Sequence, residues 1–199
     1  MKIALLSAFA AAFCLAAPLQ AQEVSSSPTQ VRAGTYAADP GHTRVTWSIS
    51  HLGYSTYSGI FPAVTGTLVL DENDTSKSRV DVTIPVERVG TLDPDLDKHL
   101  KAPDFLDVAK FPTATFKSTG IKAAGRTAKI TGDLTLRGVT KPVTLDVTFN
   151  QAGVAMDKLY TVGFDATAVI KRSDFGMTTY LPVLGDAVTL RIEAEFKAK

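Results

Sequence analysis

The stretch from Ile130 to Phe149 constrains the fold of this chain more than any other, because its two arms alternate without error around one turn. Ile130, Gly132, Leu134 and Leu136 fall on one side, and Thr131, Asp133, Thr135 and Arg137 on the other. After a turn over Gly138 to Pro142 the alternation resumes, with Val143, Leu145, Val147 and Phe149 apolar and Thr144, Asp146 and Thr148 polar. Successive side chains of a strand point to opposite faces, so period two over both arms makes a β-hairpin with one dry face. Its register puts Leu134 and Leu145 inside and Asp133 and Asp146 outside. A sheet with one dry face has to bury it against another sheet, a helix layer or the inside of a barrel.

The same period recurs along the chain. Val80, Val82, Ile84 and Val86 form one apolar row, and Val188, Leu190, Ile192, Ala194 and Phe196 another. Val45, Trp47 and Ile49 give a third, and Val162, Phe164, Ala166, Ala168 and Ile170 a fourth. With residues 59–70 and 113–121 the count reaches about eight strands. Turn signals at residues 71–76, 123–126 and 150–153 separate them. The fold class is therefore all-β.

The first twenty-one residues belong to a different grammar. Lys2 supplies a positive start, residues 3–17 an apolar run, and Leu19-Gln20-Ala21 ends in the small residue a signal peptidase needs. The apolar run is shorter than the ~20 residues a membrane span requires, so it reads as a secretory signal cleaved after Ala21. Cys14, the only cysteine, lies inside that run and follows bulky Phe13, which does not suit lipidation. An exported domain left without disulfides draws its stability from its core. Residues 22–33, rich in Ser and Gln, read as a flexible leader to a domain over residues 34–199. Removing Lys2 from the 21 basic residues leaves 20 against 20 acidic, which disfavours nucleic acid and anionic surfaces as partners and gives no reason for stable membrane insertion.

The strand pattern breaks once, over residues 87–112. Asp93-Pro94 is a helix start, with Asp able to cap and Pro at the first helical position, and Leu96 and Leu100 follow on one face. A second short helix after Pro103 is expected to present Phe105 and Val108. This segment either plugs one end of the sheet structure or is an ordinary crossover. Its His99, with Asp95 one turn away, invites a metal reading, but no Cys is available and His42 and His51 stand in other elements without HxH or HExxH spacing. A carboxylate-paired structural role suits His99 better, and no metal is expected. The acidic run from Asp71 lacks the Gly and the bidentate Glu of a calcium loop and reads as a turn. GxSxG, Walker and GxGxxG signatures are all missing, so no catalytic residue is assigned. Arg172, in the loop Arg172-Ser-Asp-Phe-Gly-Met177, either meets a polar ligand head at a barrel mouth or holds the loop by pairing with Asp174 or covering the barrel end.

Taken in order, Tyr36-x-x-Asp39-x-x-His42, His51-Leu52-Gly53, Gly59-x-Phe61, Asp97-x-His99-Leu100, Phe105-x-Asp107, Phe111-Pro112, Phe116-x-Ser118, the run from Gly132 to Pro142 and Arg172-x-Asp-Phe-Gly176 resemble the YceI-like family of bacterial periplasmic proteins. Leu96 stands where the family commonly has Arg, and Leu106 where a second Phe is usual. The resemblance implies an extended, eight-stranded, lipocalin-like antiparallel barrel in the periplasm, holding a long isoprenoid chain such as a polyprenyl or quinone tail, with no cofactor and no chemistry. The expected walls are Val45, Trp47 and Ile49; Phe61 and Leu68; Val82 and Ile84; Phe116; Leu134; Leu145 and Val147; Phe164, Ala166 and Ala168; and Leu190 and Ile192. His99 and Arg172 are the candidates for contacts at the mouth. Eight strands either fill with side chains or hold one small ligand. Small residues on the dry faces, Gly66, Gly132, Ala128, Ala166, Ala168 and Ala194, either widen a cavity or make room for Trp47 and Phe61. Two other readings stay open: an exported filled-core protein with a stress or interaction role, a homodimer included, and an enzyme acting on isoprenoid or quinone with His99 as acid or base.

Overall fold

The computed structural model describes residues 24–71 and 73–199, so the secretory signal read at residues 1–21 lies outside the described residues. Eleven strands follow one another with a single α-helix among the described residues. They are β1 (Val24–Ser25), β2 (Gly34–Ala38), β3 (Arg44–His51), β4 (Ser55–Phe61), β5 (Thr65–Leu70) and β6 (Arg79–Ile84), then α1 (Pro94–Leu100), then β7 (Ala114–Ala124), β8 (Thr127–Leu136), β9 (Val139–Val154), β10 (Tyr160–Lys171) and β11 (Leu184–Ala198).

Eight of these strands close on themselves in the order β2, β5, β6, β7, β8, β9, β10, β11 and back to β2, every pair antiparallel. Closure removes the open edges that a flat antiparallel sheet would expose. The β3–β4 hairpin extends two of the lanes. β3 pairs with β11 below the point where β2 does, and Ile60 of β4 bridges to Gly90. Two lanes are thus broken strands. One breaks at residues 39–43, where Thr43 N–H donates to the Asp39 carbonyl and Asp39 N–H to that of Glu195; the other breaks at Pro62-Ala63, where Ala63 takes φ 60°.

The hairpin has the expected register. Leu134 is buried, Leu145 is half-buried on the same side, and Asp133 and Asp146 are exposed. Its turn is tighter than expected: Leu136 already pairs with Val139, so Arg137 (φ 52°) and Gly138 (φ 72°) alone make it. Two positive φ angles give the turn whose twist matches the strands. The unfavourable backbone of Arg137 is held by its guanidinium, which donates to the carbonyls of Phe105 (2.7 Å), Pro103 (2.9 Å) and Gly176 (3.4 Å).

Because the chain winds up and down, its connections segregate by end. Residues 52–54, 85–113, 137–138 and 172–183 lie at one end; residues 71–78, 125–126 and 155–159 lie at the other, with the segment before β2. At the first end α1 begins as expected: the Asp93 carboxylate accepts from the N–H groups of Asp95 (3.0 Å) and Leu96 (3.2 Å), and Pro94 fills the first helical position. The second helix is absent. Residues 101–112 form successive turns, with Phe105 N–H donating to Ala102 O and Lys110 N–H to Asp107 O, because Pro103 offers no donor and Asp107 sits at φ 47°. These turns drive Phe105 and Leu106 inward, and Leu106 joins Val86, Val89, Trp47, Leu136, Phe175 and Met177 in one core cluster. The crossover is a plug.

A second cluster, Tyr36, Ala38, Leu68, Phe149, Ala152, Val162 and Phe196, lies toward the opposite end. There the segment read as a flexible leader is partly built into the sheet: Val24 and Ser25 pair with Gly153 and Ala152 of β9, and Tyr36 Oη donates to the Arg32 carbonyl.

Candidate ligand-binding cavity

Between the plug and the opposite end the dry faces of the strands do not meet. They enclose a cavity of about 840 Å³. Of the walls expected from alternation, Val45, Phe61, Leu68, Val82, Ile84, Phe116, Leu134, Leu145, Val147, Phe164, Ala166, Leu190 and Ile192 line it. Trp47 and Ile49 face inward but sit in the packed floor beneath it, and Ala168, buried opposite Leu190, does not reach its surface. Alternation assigns a face but not a depth. Additional lining comes from Val64, Val86, Leu136 and Ile170 at the inner end and from Pro28, Thr29, Val31 and Ala33 at the mouth. Leu136 and Ile170 stand on rows already read as dry, whereas nothing apolar in the leader's composition marked Pro28 or Thr29.

The small residues divide between the two roles. A side chain at Gly132 would lie 2.4 Å from the Phe116 ring and one at Gly59 2.3 Å from the Trp47 ring, so both glycines make room for neighbouring aromatics. Ala128, Ala166 and Ala194 line the cavity and widen it.

Polarity changes along the cavity. Its inner end, at Ile84, Val86, Ala114, Leu136 and Ile170, is wholly apolar. Thr29, Asp71, Thr75, Ser78, Arg126 and Thr127 gather at the mouth. Part of this rim is structural: Asp71 accepts from the N–H groups of Asn73 and Asp74, and Arg126 donates to the carbonyls of Phe149 and Asn150. Thr43 also borders the cavity, but its hydroxyl donates to the Glu195 carbonyl.

The two candidates for the mouth are at the plugged end instead. Arg172, 3 % exposed, donates to the carbonyls of Gly185 (2.8 Å), Met177 (2.8 Å) and Leu184 (3.2 Å), tying the turn after β10 to the start of β11. Its partners are carbonyls rather than Asp174. Burial lowers its pKa, an effect that Asp186 opposes, and Asp186 is itself lowered chiefly by the Ser173 N–H it accepts. His99 lies 3.5 Å from Asp104 and edge-on to Phe105, with ring centroids 4.9 Å apart, outside the cavity lining. The only clustered metal-type donors among the described residues are Asp39, His42 and Glu195, at the break between β2 and β3. Lys197 occupies this group, its ammonium 2.7 Å from both Asp39 and Asp157. The hydrogen bond from Lys197 is the main reason the Asp39 carboxyl is lowered to about 2.

The closed eight-stranded meander is shared with known proteins, and the model of the YceI-like domain matches residues 36–196. This chain belongs to the YceI-like family. Protein YceI of Salmonella arizonae is 44 % identical over 154 residues, 77 % of this chain and 81 % of that protein. Among solved structures, BcnA of Burkholderia cenocepacia superposes with a TM-score of 0.71 at 25 % identity, covering 79 % of this chain and 98 % of BcnA. The YceI protein of Campylobacter jejuni gives 0.67 at 31 %, covering 75 % and 90 %. A polyisoprenoid binding domain from Saccharophagus degradans implicated in plant cell wall breakdown shares the fold, with a TM-score of 0.65 at 12 % identity, covering 84 % of this chain and all of that one. The YceI-like span begins at Tyr36, so β1 and the mouth segment over residues 28–33 precede the matched region.

Proposed function

We propose that this YceI-like protein is a carrier for a long isoprenoid lipid, a polyprenyl or quinone tail, held tail-first in the barrel, and that it works in the periplasm after removal of residues 1–21. The observation that carries the reading is an apolar cavity of about 840 Å³ whose inner end abuts the packed cluster of the plug and whose polar lining lies at the rim, apart from Thr43, whose hydroxyl is taken up by the Glu195 backbone. At roughly 30 Å³ of liquid volume per small heavy-atom group, that space holds on the order of 28 carbons, about five or six isoprene units. Burying each methylene is worth ~0.8 kcal/mol, so affinity grows with length and needs no strong anchor for the head. Part of that gain is lost in ordering the chain, which makes selectivity depend on length more than on head-group identity. The polyisoprenoid-binding neighbour of the same fold supports the ligand class. The polar rim supports a head group left at the mouth, in contact with water.

The position of His99, paired with Asp104 and away from the cavity lining, favours transport over chemistry. Native mass spectrometry and organic extraction of the protein purified from its own host test the proposal. The expected result is a co-purifying isoprenoid of about 25 to 30 carbons or a longer one with its remainder outside. Protein that is empty as isolated and takes up neither polyprenyl alcohol nor quinone on addition returns the molecule to the filled-core reading.

A further inference from the structure

A ligand of this kind lives in a membrane, so the carrier has to meet a bilayer, and the open end is built for that contact. β9 runs on past Thr148, the last of its residues to pair with β8, through residues 149–154, which at ~3.3 Å per residue carries it about 20 Å further along its own direction. β10 accompanies it, with Tyr160 opposite Val154, and β1 braces its other edge, with Val24 opposite Gly153. The arm ends in a tight turn in which Ala155 N–H donates to Leu159 O and Lys158 N–H to Ala155 O. This turn presents apolar side chains to solvent: Met156 is 91 % exposed and Leu159 45 %, with Val24 48 % exposed beside them on the bracing strand.

The charges fit the same surface. Asp157, the acid of the turn, is held by Lys197 at 2.7 Å, while Lys158 is exposed and Arg32 lies over the Tyr160 ring, 4.3 Å from its centroid. Outward cations next to protruding Met and Leu, above an amphipathic tyrosine, match the phosphate layer and acyl boundary of a phospholipid bilayer. The positive φ of Lys158 (70°) shows that the turn keeps this shape at some cost in backbone energy. At the plugged end Leu52, Tyr54, Leu92, Tyr180 and Val183 are exposed too, but the plug separates them from the cavity.

We propose that the β9–β10 tip, Met156 and Leu159 foremost, docks transiently on a phospholipid bilayer and that the isoprenoid passes between bilayer and cavity beside it. This inference rests on the carrier reading above. Its test measures how fast the full-length mature protein takes up a labelled 30-carbon polyprenyl alcohol from two sources, phosphatidylcholine vesicles and a detergent dispersion. The variant Met156→Glu/Leu159→Glu should load from vesicles at least tenfold more slowly and from detergent at the wild-type rate. Tyr54→Glu/Val183→Glu, at the other end, should match wild type from both. Equal vesicle rates for the tip variant and wild type overturn the docking surface, as does an equal slowing by the variant at the plugged end. A tip variant that loads poorly from both sources assigns these residues to the cavity and overturns it as well. Wild-type protein that loads from neither source refutes the carrier reading itself.

Discussion

The two ends of this barrel are made from the same alternating strands and differ almost entirely in their connections. At one end a long crossover folds inward, burying Phe105 and Leu106, and three carbonyls converge on the buried Arg172. At the other no connection folds into the barrel, and Arg126 makes comparable carbonyl contacts in an exposed setting. A strand pattern thus makes a tube, and the connections decide which end is stopped. The stopped end is closed by packed side chains, while the cavity's polar lining gathers at the other.

The largest effects should come from breaking the plug. Leu106→Asp places a carboxylate in the packed cluster and should cost several kcal/mol or abolish folding, whereas Ile121→Asp at the half-buried rim should cost about 1 kcal/mol or less. Chemical denaturation midpoints measure both. Equal losses would mean that the ends are not mechanically distinct.

Next come the two arginines. Arg172→Met leaves three carbonyls without their donor in a buried site and should destabilise by about 3 kcal/mol. Arg126→Met exposes its carbonyls to water and should cost about 1 kcal/mol. Arg172→Met should not alter ligand selectivity, and a changed ligand profile in that variant would reassign the residue to the site.

In the wall between the ends, Ala166→Phe should weaken binding of a 30-carbon polyprenyl alcohol at least tenfold while the unfolding midpoint stays close to wild type, because the new ring occupies space that the ligand otherwise fills. Ala168→Phe, at a position that does not reach the cavity, should instead act on stability through overpacking. A calorimetric titration paired with a thermal melt separates the two outcomes.

The smallest effect is electrostatic. Asp39 is held near 2 chiefly by the hydrogen bond from Lys197, so its contribution is present above the ordinary carboxyl range, about 4, and is lost as pH falls from there through about 2. Lys197 is raised by Asp157 and Asp39, so its own contribution is present below the ordinary lysine value and is lost only as pH rises above it. Thermal midpoints of Lys197→Met should therefore fall less steeply between pH 4 and 2 than those of wild type. Parallel curves would remove Lys197 from the account.

The strand faces were readable from sequence because period two leaves no second way to bury Ile130 to Phe149, and the helix start was readable because Asp93-Pro94 satisfies orphan N–H groups locally. What escaped depends on distant partners. Phe105 and Val108 have helical spacing, yet Pro103 and the carbonyls that Arg137 holds turn the segment inward. The polar leader gains order from the free edge of β9, which its composition does not encode. Arg172 carries the same charge at a mouth or under a loop, and only the arrival of β11 selects the loop. Trp47 and Ala168 share a face with true cavity residues, but the depth of the plug decides that they are floor and wall backing.

The central claim is a blind, apolar cavity filled from one end, and a chain-length series tests it most directly. Polyprenyl alcohols of two to ten isoprene units, titrated against the mature protein by displacement of a fluorescent fatty acid, should bind more tightly with each added unit up to about five or six and then level off as further units stay outside the mouth. Affinity that ignores length, or that continues to rise steadily through ten units, contradicts a blind cavity of about 840 Å³.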